Sequence, residues 1–327
     1  MSGRSPWAPG CSWGLRSDGS HPPGSRELDA MSRRPRTPVP QSELEGKPWI
    51  RSLGGPPSEP PVTYSLAEQY HEASKYHRAL MVREPLDVRA ALAIPRRSER
   101  TGVPLPPPSE DLPVSLGQVL RKRRSIRHFQ PARMPLQVLA DLLFYTAGST
   151  GEARFQLGQD TWRRSLRTYP SGGALYSVEL FVIPRSVDGL DVAQGVYCYN
   201  SIAHCLVPVD ADKDTATAVV RTTPMHPAVL NLEHSQVVLA LVGVLAVENA
   251  KYARRGYRFV LQESGHMAQN ALLTTTALGL GGVVMGAFFD DEANRMLRLD
   301  GVSETVLYMI PVGVPAPGAS EEGGHGG

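Results

Sequence analysis

Apolar side chains recur at helical spacing through Val260, Ser264, Met267, Ala268, Ala271, Leu272, Thr275 and Leu278, which predicts one long helix stopped by Gly279-Leu280-Gly281-Gly282. A second helix is predicted where Pro135 takes a first-turn position, Leu136, Leu139, Leu143 and Ala147 share a face, and Gly148 terminates. Ser115 suits the cap of a third, which runs through Leu116, Val119 and Leu120 into a basic cluster closed by Phe129. A fourth helical pattern covers 64–80, and the proline-rich stretch 95–113 after it reads as a connector. Short β-rich runs occupy 180–183, 195–199 and 204–207, with Asn200-Ser201 marking a hairpin and Pro208 ending its second arm. Runs at 237–247, 283–289 and 305–312 add three strands, the first uniformly apolar and therefore central, with a short helix over 290–299 between the last two. Strands interspersed with helices around a hairpin predict an α+β sandwich with a mixed, mainly antiparallel sheet rather than a doubly wound fold.

Composition narrows the function classes. The 327 residues carry 34 basic and 32 acidic side chains, a net charge of +2, so no global field draws nucleic acid or an anionic membrane surface. The longest apolar run, 237–247, has eleven residues, well short of the roughly 20 a spanning helix needs. No apolar core follows the basic residues near the N-terminus, so no export signal is expected, and the three cysteines fit a reducing cytoplasm. Residues 1–60 are dense in Pro, Gly, Ser and Arg without apolar period and are expected to be disordered. Met31 is an alternative start that the sequence leaves open. The expected organisation is then a helical arm and linker over 61–113, one main domain over 114–315 and a disordered tail over 316–327.

Three segments could carry chemistry. Arg123, Arg124 and Arg127 flank Ser125, a set of forked donors and a hydroxyl suited to a terminal phosphate, or equally a solvated basic helix end. Pro170-Ser171-Gly172-Gly173 precedes an apolar helix start, where small residues let backbone approach a ligand, or simply make a turn. Lys251 and Tyr252 follow the central strand, and Arg254, Arg255 and Arg258 are expected to crowd them with positive charge and favour a neutral, proton-accepting amine; an exposed basic helix start is the other reading. Glu263 and His266 lack metal-ligand spacing, so no metal site is expected. Gly281-Gly282 leads into a strand, the reverse of a nucleotide-binding strand-loop-helix unit.

Taken in order and spacing, these segments resemble the nitroreductase-like flavoprotein superfamily and, within it, the SagB/ThcOx/McbC group of azoline dehydrogenases. The resemblance spans about 64–315 and includes the arm sequence Tyr70-His71-Glu72-Ala73-Ser74-Lys75. It implies a helix-flanked sandwich that forms a homodimer with FMN at the subunit interface. By resemblance, Arg123, Ser125 and Arg127 bind the FMN phosphate and ribityl chain, Ser171, Gly172 and Gly173 lie along the isoalloxazine ring, and Gly286 turns its N–H to flavin N5. Lys251 and Tyr252 match the catalytic pair of azoline dehydrogenases, Lys251 removing a ring-carbon proton while hydride leaves for the flavin. The implied substrate is a thiazoline or oxazoline in a ribosomal precursor peptide, and the implied partner is a cyclodehydratase. Val314-Pro315-Ala316-Pro317 follows Val312-Gly313 where nitroreductases usually carry a phosphate-holding basic residue, so compensation falls to Arg167 or a partner subunit. A nicotinamide-dependent nitro or quinone reductase and a flavin-free docking subunit are the two rival functions.

Overall fold

The computed structural model describes residues 65–76, 88–157, 160–190, 195–211 and 214–319. The expectations for 1–60 and 77–80, and for the tail beyond 319, lie outside the described residues. Chain order gives α1 Leu66–Ala73, α2 Val88–Ala93, β1 Val103–Pro104, α3 Leu116–Lys122, α4 Leu136–Ala147, β2 Ser149–Leu157, β3 Asp160–Arg167, β4 Val178–Pro184, β5 Val196–Asn200 and β6 Cys205–Val209. There follow α5 Thr215–Ala218, β7 Val237–Val244, α6 Leu245–Tyr252, α7 Gly256–Ala277, β8 Gly281–Gly282, α8 Asp290–Met296 and β9 Glu304–Gly313.

Seven strands form one sheet in the order β1-β6-β5-β4-β7-β9-β8, with every pairing antiparallel. The α+β sandwich expected from the sequence is thus the observed fold. Every residue of β4 and β7 is buried, because the period-2 alternation sends successive side chains into two different cores. Leu180, Val182, Leu239 and Leu241 meet Leu139, Leu143, Met267 and Ala271 of α4 and α7 on one face. Phe181, Ile183, Val238 and Ala240 meet Val219, Ala293, Met296 and Met309 on the other.

Several elements differ from expectation, each for a local reason. The central strand ends at Val244, where Val244 N and Leu245 N close the last rungs of the ladder on Ser177 O and Ser303 O, and 245–252 fold into α6. The strand expected over 283–289 is reduced to a single bridge between Met285 and Met309, and the short strand β8 forms at Gly281–Gly282, which had the look of a helix stop. Pro208 lies inside β6, past the end of the edge strand β1, where a missing N–H is tolerated. The stretch 95–113 is more than a connector, since it supplies β1 and the turn Arg97–Glu99. There Arg97 holds Glu304 with two bonds of 2.7 Å, and Arg96 and Arg97 each reach Glu179 at 3.5 Å. Helix α1 stops at Ala73, with Ser65 and Glu68 capping its start. Ala316 and Ala319, in the segment expected as tail, pack with Ile126 and Phe129. The β2–β3 hairpin was not anticipated, although Gly158-Gln159 between two partly alternating runs is the kind of sequence that makes one.

Candidate functional site

The segment 170–176 joins β3 to β4 without the helix expected after it; Gly172–Ala174 make only a 3-10 turn. Gly173, Ala174 and Tyr176 have φ of 62°, 54° and 51°, and a non-glycine residue held there costs about 1–2 kcal/mol. Such backbone persists only where its surroundings over-determine it. Here Ser171 Oγ donates to Glu263 Oε2 at 2.6 Å and accepts from Tyr176 N at 2.8 Å. Glu263, buried on α7, also accepts from Ser177 Oγ at 3.1 Å and Val178 N at 2.8 Å. Arg96 donates to Tyr176 O at 2.7 Å, and Tyr176 OH accepts from Arg167 N at 2.9 Å. Burial pushes the Glu263 carboxyl above its ordinary range, against the pull of the Ser171 and Val178 bonds. A carboxylate on the core-facing stripe of a long helix, between Val260 and Met267, is the signal by which the sequence could have exposed it.

Lys251 and Tyr252 form the last turn of α6, which ends at Ala253 with φ 49° and ψ −135°. The Tyr252 ring sits edge-on to Phe259 at 4.7 Å, and Lys251 Nζ lies 4.8 Å from the centre of the Tyr252 ring. A Cβ placed on Gly173 would fall 2.0 Å from Lys251 Nζ and 2.7 Å from Tyr252 OH. The glycine loop and the Lys-Tyr pair, eighty residues apart in sequence, therefore converge on one glycine.

The positive charges expected around Lys251 are directed elsewhere. Arg255 donates to Ser74 O at 3.3 Å and stacks over Tyr76, while Arg258 donates to Ser74 Oγ at 2.8 Å and to His71 O and lies over Tyr70. Tyr70 in turn donates to Arg254 O at 3.2 Å and meets Tyr257 edge-on. These arginines fasten the arm helix α1 to α7. The ionisable group that does lie under the loop is Glu248, three residues before Lys251 and fully buried. A Cβ on Gly172 would stand 3.4 Å from its Oε2 and 3.5 Å from its Oε1. Neither oxygen has a hydrogen-bond partner among the described residues. Burial, and then the charge of Glu263, push its pKa up to about 8, against the opposing charges of Lys251 and Arg96. Glu248 escaped the sequence reading because 245–247 were assigned to a strand, which hides its helical phase with Lys251.

Arg123, Ser125 and Arg127 stand elsewhere. Ile126 N donates to Gly282 O at 3.1 Å, a Cβ on Gly281 would strike Ile126 at 2.6 Å, and Asn231 N donates to Arg127 O at 3.0 Å. This pins the basic segment to the Gly313 end of the sheet, next to Val237, whereas the glycine loop adjoins Gly243 and Val244. Six residues of strand separate the two ends, roughly 20 Å at about 3.4 Å per residue. Among the described residues neither Arg123 nor Arg127 pairs with a carboxylate. Gly286 is exposed between these ends, its would-be Cβ 3.6 Å from the edge of the Tyr308 ring. Arg167 is committed to the loop, donating to Tyr169 OH at 3.3 Å with its guanidinium 4.6 Å from the centre of the Tyr176 ring, so it does not replace the missing basic residue beside Arg123.

Comparison with known proteins agrees with this architecture. The family model described as "Nitroreductase family" matches residues 120–314, and the chain belongs to the nitroreductase family. The Methanocaldococcus jannaschii protein MJ1384, which carries a nitroreductase name, is 34% identical over 201 residues, covering 61% of this chain and 91% of its own. The Escherichia coli microcin B17-processing protein McbC is 33% identical over 148 residues, 44% of this chain and 52% of that protein. Among solved structures, a Ralstonia eutropha protein with a nitroreductase title superposes with a TM-score of 0.51 at 24% identity, covering 65% of this chain and 89% of its own. The Escherichia coli microcin synthetase McbBCD complex with truncated pro-MccB17 bound gives a TM-score of 0.50 at 19% identity, over 86% of this chain and 98% of the matched one. These two likenesses are of fold. Among the described residues no helix is long and apolar enough to cross a membrane, and no group of three or more His, Cys, Asp or Glu side chains could hold a metal ion.

Proposed function

We propose that this protein is an FMN-dependent dehydrogenase that oxidises thiazolines or oxazolines in a ribosomally made peptide to the aromatic thiazoles or oxazoles. The convergence of Lys251 Nζ and Tyr252 OH on the backbone of Gly173 carries this reading, because it sets a proton acceptor and a hydroxyl against one glycine surface. The 33% identity to McbC, a protein named for processing a microcin, supports a peptide substrate, and the likeness of fold to a chain of the microcin synthetase McbBCD complex with truncated pro-MccB17 bound supports assembly with partner subunits, of which we propose a cyclodehydratase as one.

The residues present fit the cofactor. Two arginines without carboxylate partners among the described residues flank a half-buried serine, a donor set for a phosphate, and the lack of a Cβ at Gly173 lets the tips of Lys251 and Tyr252 reach the loop that would line a flat ring. FMN, when bound, supplies the hydride-accepting chemistry that no side chain offers. Arg123, Ser125 and Arg127 would hold its phosphate, Ser171, Gly172 and Gly173 would line its ring, and Gly286 would present an N–H to it. The phosphate set and the ring set lie at opposite ends of one sheet, and we infer that each site is completed by a second copy of the chain across a two-fold. A partner subunit also offers the charge that Arg167 does not.

Lys251 Nζ takes the proton from the ring carbon, and Tyr252 OH, beside the same glycine, orients the azoline and supports the developing charge. Ser171 and Glu263 keep the loop from yielding as substrate presses on it. General-base catalysis is typically worth about 10² to 10⁴-fold. Lys251→Ala is expected to lose turnover on that scale while retaining bound FMN; an active mutant, or one that sheds its flavin, contradicts the assignment. The likeness to MJ1384 favours a second reading, a nicotinamide-dependent reductase. Rapid bleaching of the bound flavin by NADPH, with no oxidation of azolines, would select it. A colourless protein that takes up no FMN yet binds a cyclodehydratase or precursor peptide would instead be a docking subunit.

A further inference from the structure

A fully buried carboxylate with no hydrogen-bond partner is costly, and proteins retain few of them without a use. Glu248 is such a group, and its place is specific. It lies under Gly172 and one helical turn before Lys251, so both side chains leave the same face of α6 beneath the two glycines of the loop. Val247 of the same helix, with Ala91, Leu175 and Val244, forms a buried apolar cluster.

The charged and titratable groups around it come from every element packed there. They are Lys251 and Tyr252 on its own helix, Glu263 on α7, Arg96 before the turn Arg97–Glu99, and Tyr76 beyond α1; Arg89 on the neighbouring α2 is exposed. Glu263 carries bonds from Ser171, Ser177 and Val178, and Arg96 is held by Tyr176 O and Glu179. Lys251 Nζ makes no hydrogen bond among the described residues and rests beside the Tyr252 ring. Of the cations near Glu248, Lys251 is therefore the one whose tip is at liberty to respond when the carboxyl ionises.

We propose that Glu248 is a positioning residue for Lys251: uncharged, it leaves the Lys251 Nζ at the Gly173 loop, and ionised, it draws Nζ down into a buried pair and withdraws it from the site. No bond is made or broken beyond the loss of the carboxyl proton to solvent. The consequence is an alkaline closure of the site that belongs to Glu248, with a midpoint near its value of about 8. The functional weight of this switch rests on Lys251 acting as the base, but the movement itself does not.

The test labels amines briefly with acetic anhydride in the full-length protein as isolated with its cofactor. Acylation of Lys251 is compared with that of the exposed Lys122 by peptide mass analysis across pH 6 to 10. In the wild type the Lys251-to-Lys122 ratio should fall by about tenfold as pH passes through the ionisation of Glu248, the scale of a modest ion pair. In Glu248→Gln, whose amide keeps the shape and cannot ionise, the fall should vanish. The same fall in both proteins, or none in the wild type, overturns the proposal. Because labelling needs no turnover, a wild type that shows the fall yet does not oxidise azolines would refute the proposed function and leave the switch standing.

Discussion

Replacing Gly173 with alanine separates fold from chemistry at the point where the two motifs meet. The backbone there has φ 62°, and a side-chain-bearing residue in this region costs about 1–2 kcal/mol. The added Cβ would lie 2.0 Å from Lys251 Nζ and 2.7 Å from Tyr252 OH, whereas unstrained contacts begin near 3.5 Å. Nζ must therefore retreat by about 1.5 Å. Both struck atoms are the far ends of flexible side chains, not backbone, so they can move and the fold can survive. A misplacement of about 1 Å in a reacting group costs on the order of 10²-fold in rate. Gly173→Ala is expected to lose about 1–2 kcal/mol in urea unfolding and about 10²-fold in kcat, with bound flavin retained. Gly172→Ala is the comparison for stability, since its φ is not left-handed and its Cβ would stand 3.4 Å from Glu248 Oε2; a far smaller loss in urea unfolding is expected. Normal turnover in Gly173→Ala would refute the assignment of Lys251 and Tyr252 to a site at this loop.

Other expectations follow from the same geometry. The Glu248 carboxyl is raised in the folded protein from its ordinary 4.5 to about 8, so the native state holds the proton longer than the unfolded chain does. Its stability contribution is complete below pH 4.5 and is lost as pH rises to about 8, by at most about 5 kcal/mol. Glu248→Gln should flatten that decline in urea unfolding measured across this window, and an unchanged pH slope would contradict the burial argument. Arg123→Ala combined with Arg127→Ala should weaken FMN uptake by the apoprotein, by about 1.5–3 kcal/mol for each charged hydrogen bond lost, with little change in thermal stability. Unaltered flavin affinity by fluorescence titration would remove these arginines from the phosphate site. Sedimentation should show a dimer, and a flavin-loaded monomer would contradict the two-chain site.

Much of the fold was legible because the apolar period is strong where elements are buried. Leu139, Leu143, Met267 and Ala271 keep helical phase and form one core with strand residues of alternating phase. Where the chain leaves the ladder under tertiary control, the pattern gave no warning. Val244 and Leu245 continue an apolar run, yet their N–H groups close the ladder's last rungs on Ser177 O and Ser303 O, and α6 begins at Leu245. The loop and the Lys-Tyr pair were both visible as sequence, but their meeting at Gly173 depends on α6 and so was not. The direction of Arg255 and Arg258 was hidden likewise, because their acceptors, Ser74 and His71, lie some 180 residues away in the arm. Glu248 was invisible for a third reason: directly after an apolar run that reads as strand, it had no helical phase with Lys251.

The central claim is azoline oxidation by a flavin held in this fold. The purified protein should be yellow, and a thiazoline-containing peptide incubated with it in air, without nicotinamide, should lose two mass units as the ring becomes aromatic. A yellow protein that leaves the peptide mass unchanged while NADPH bleaches its flavin would contradict the account.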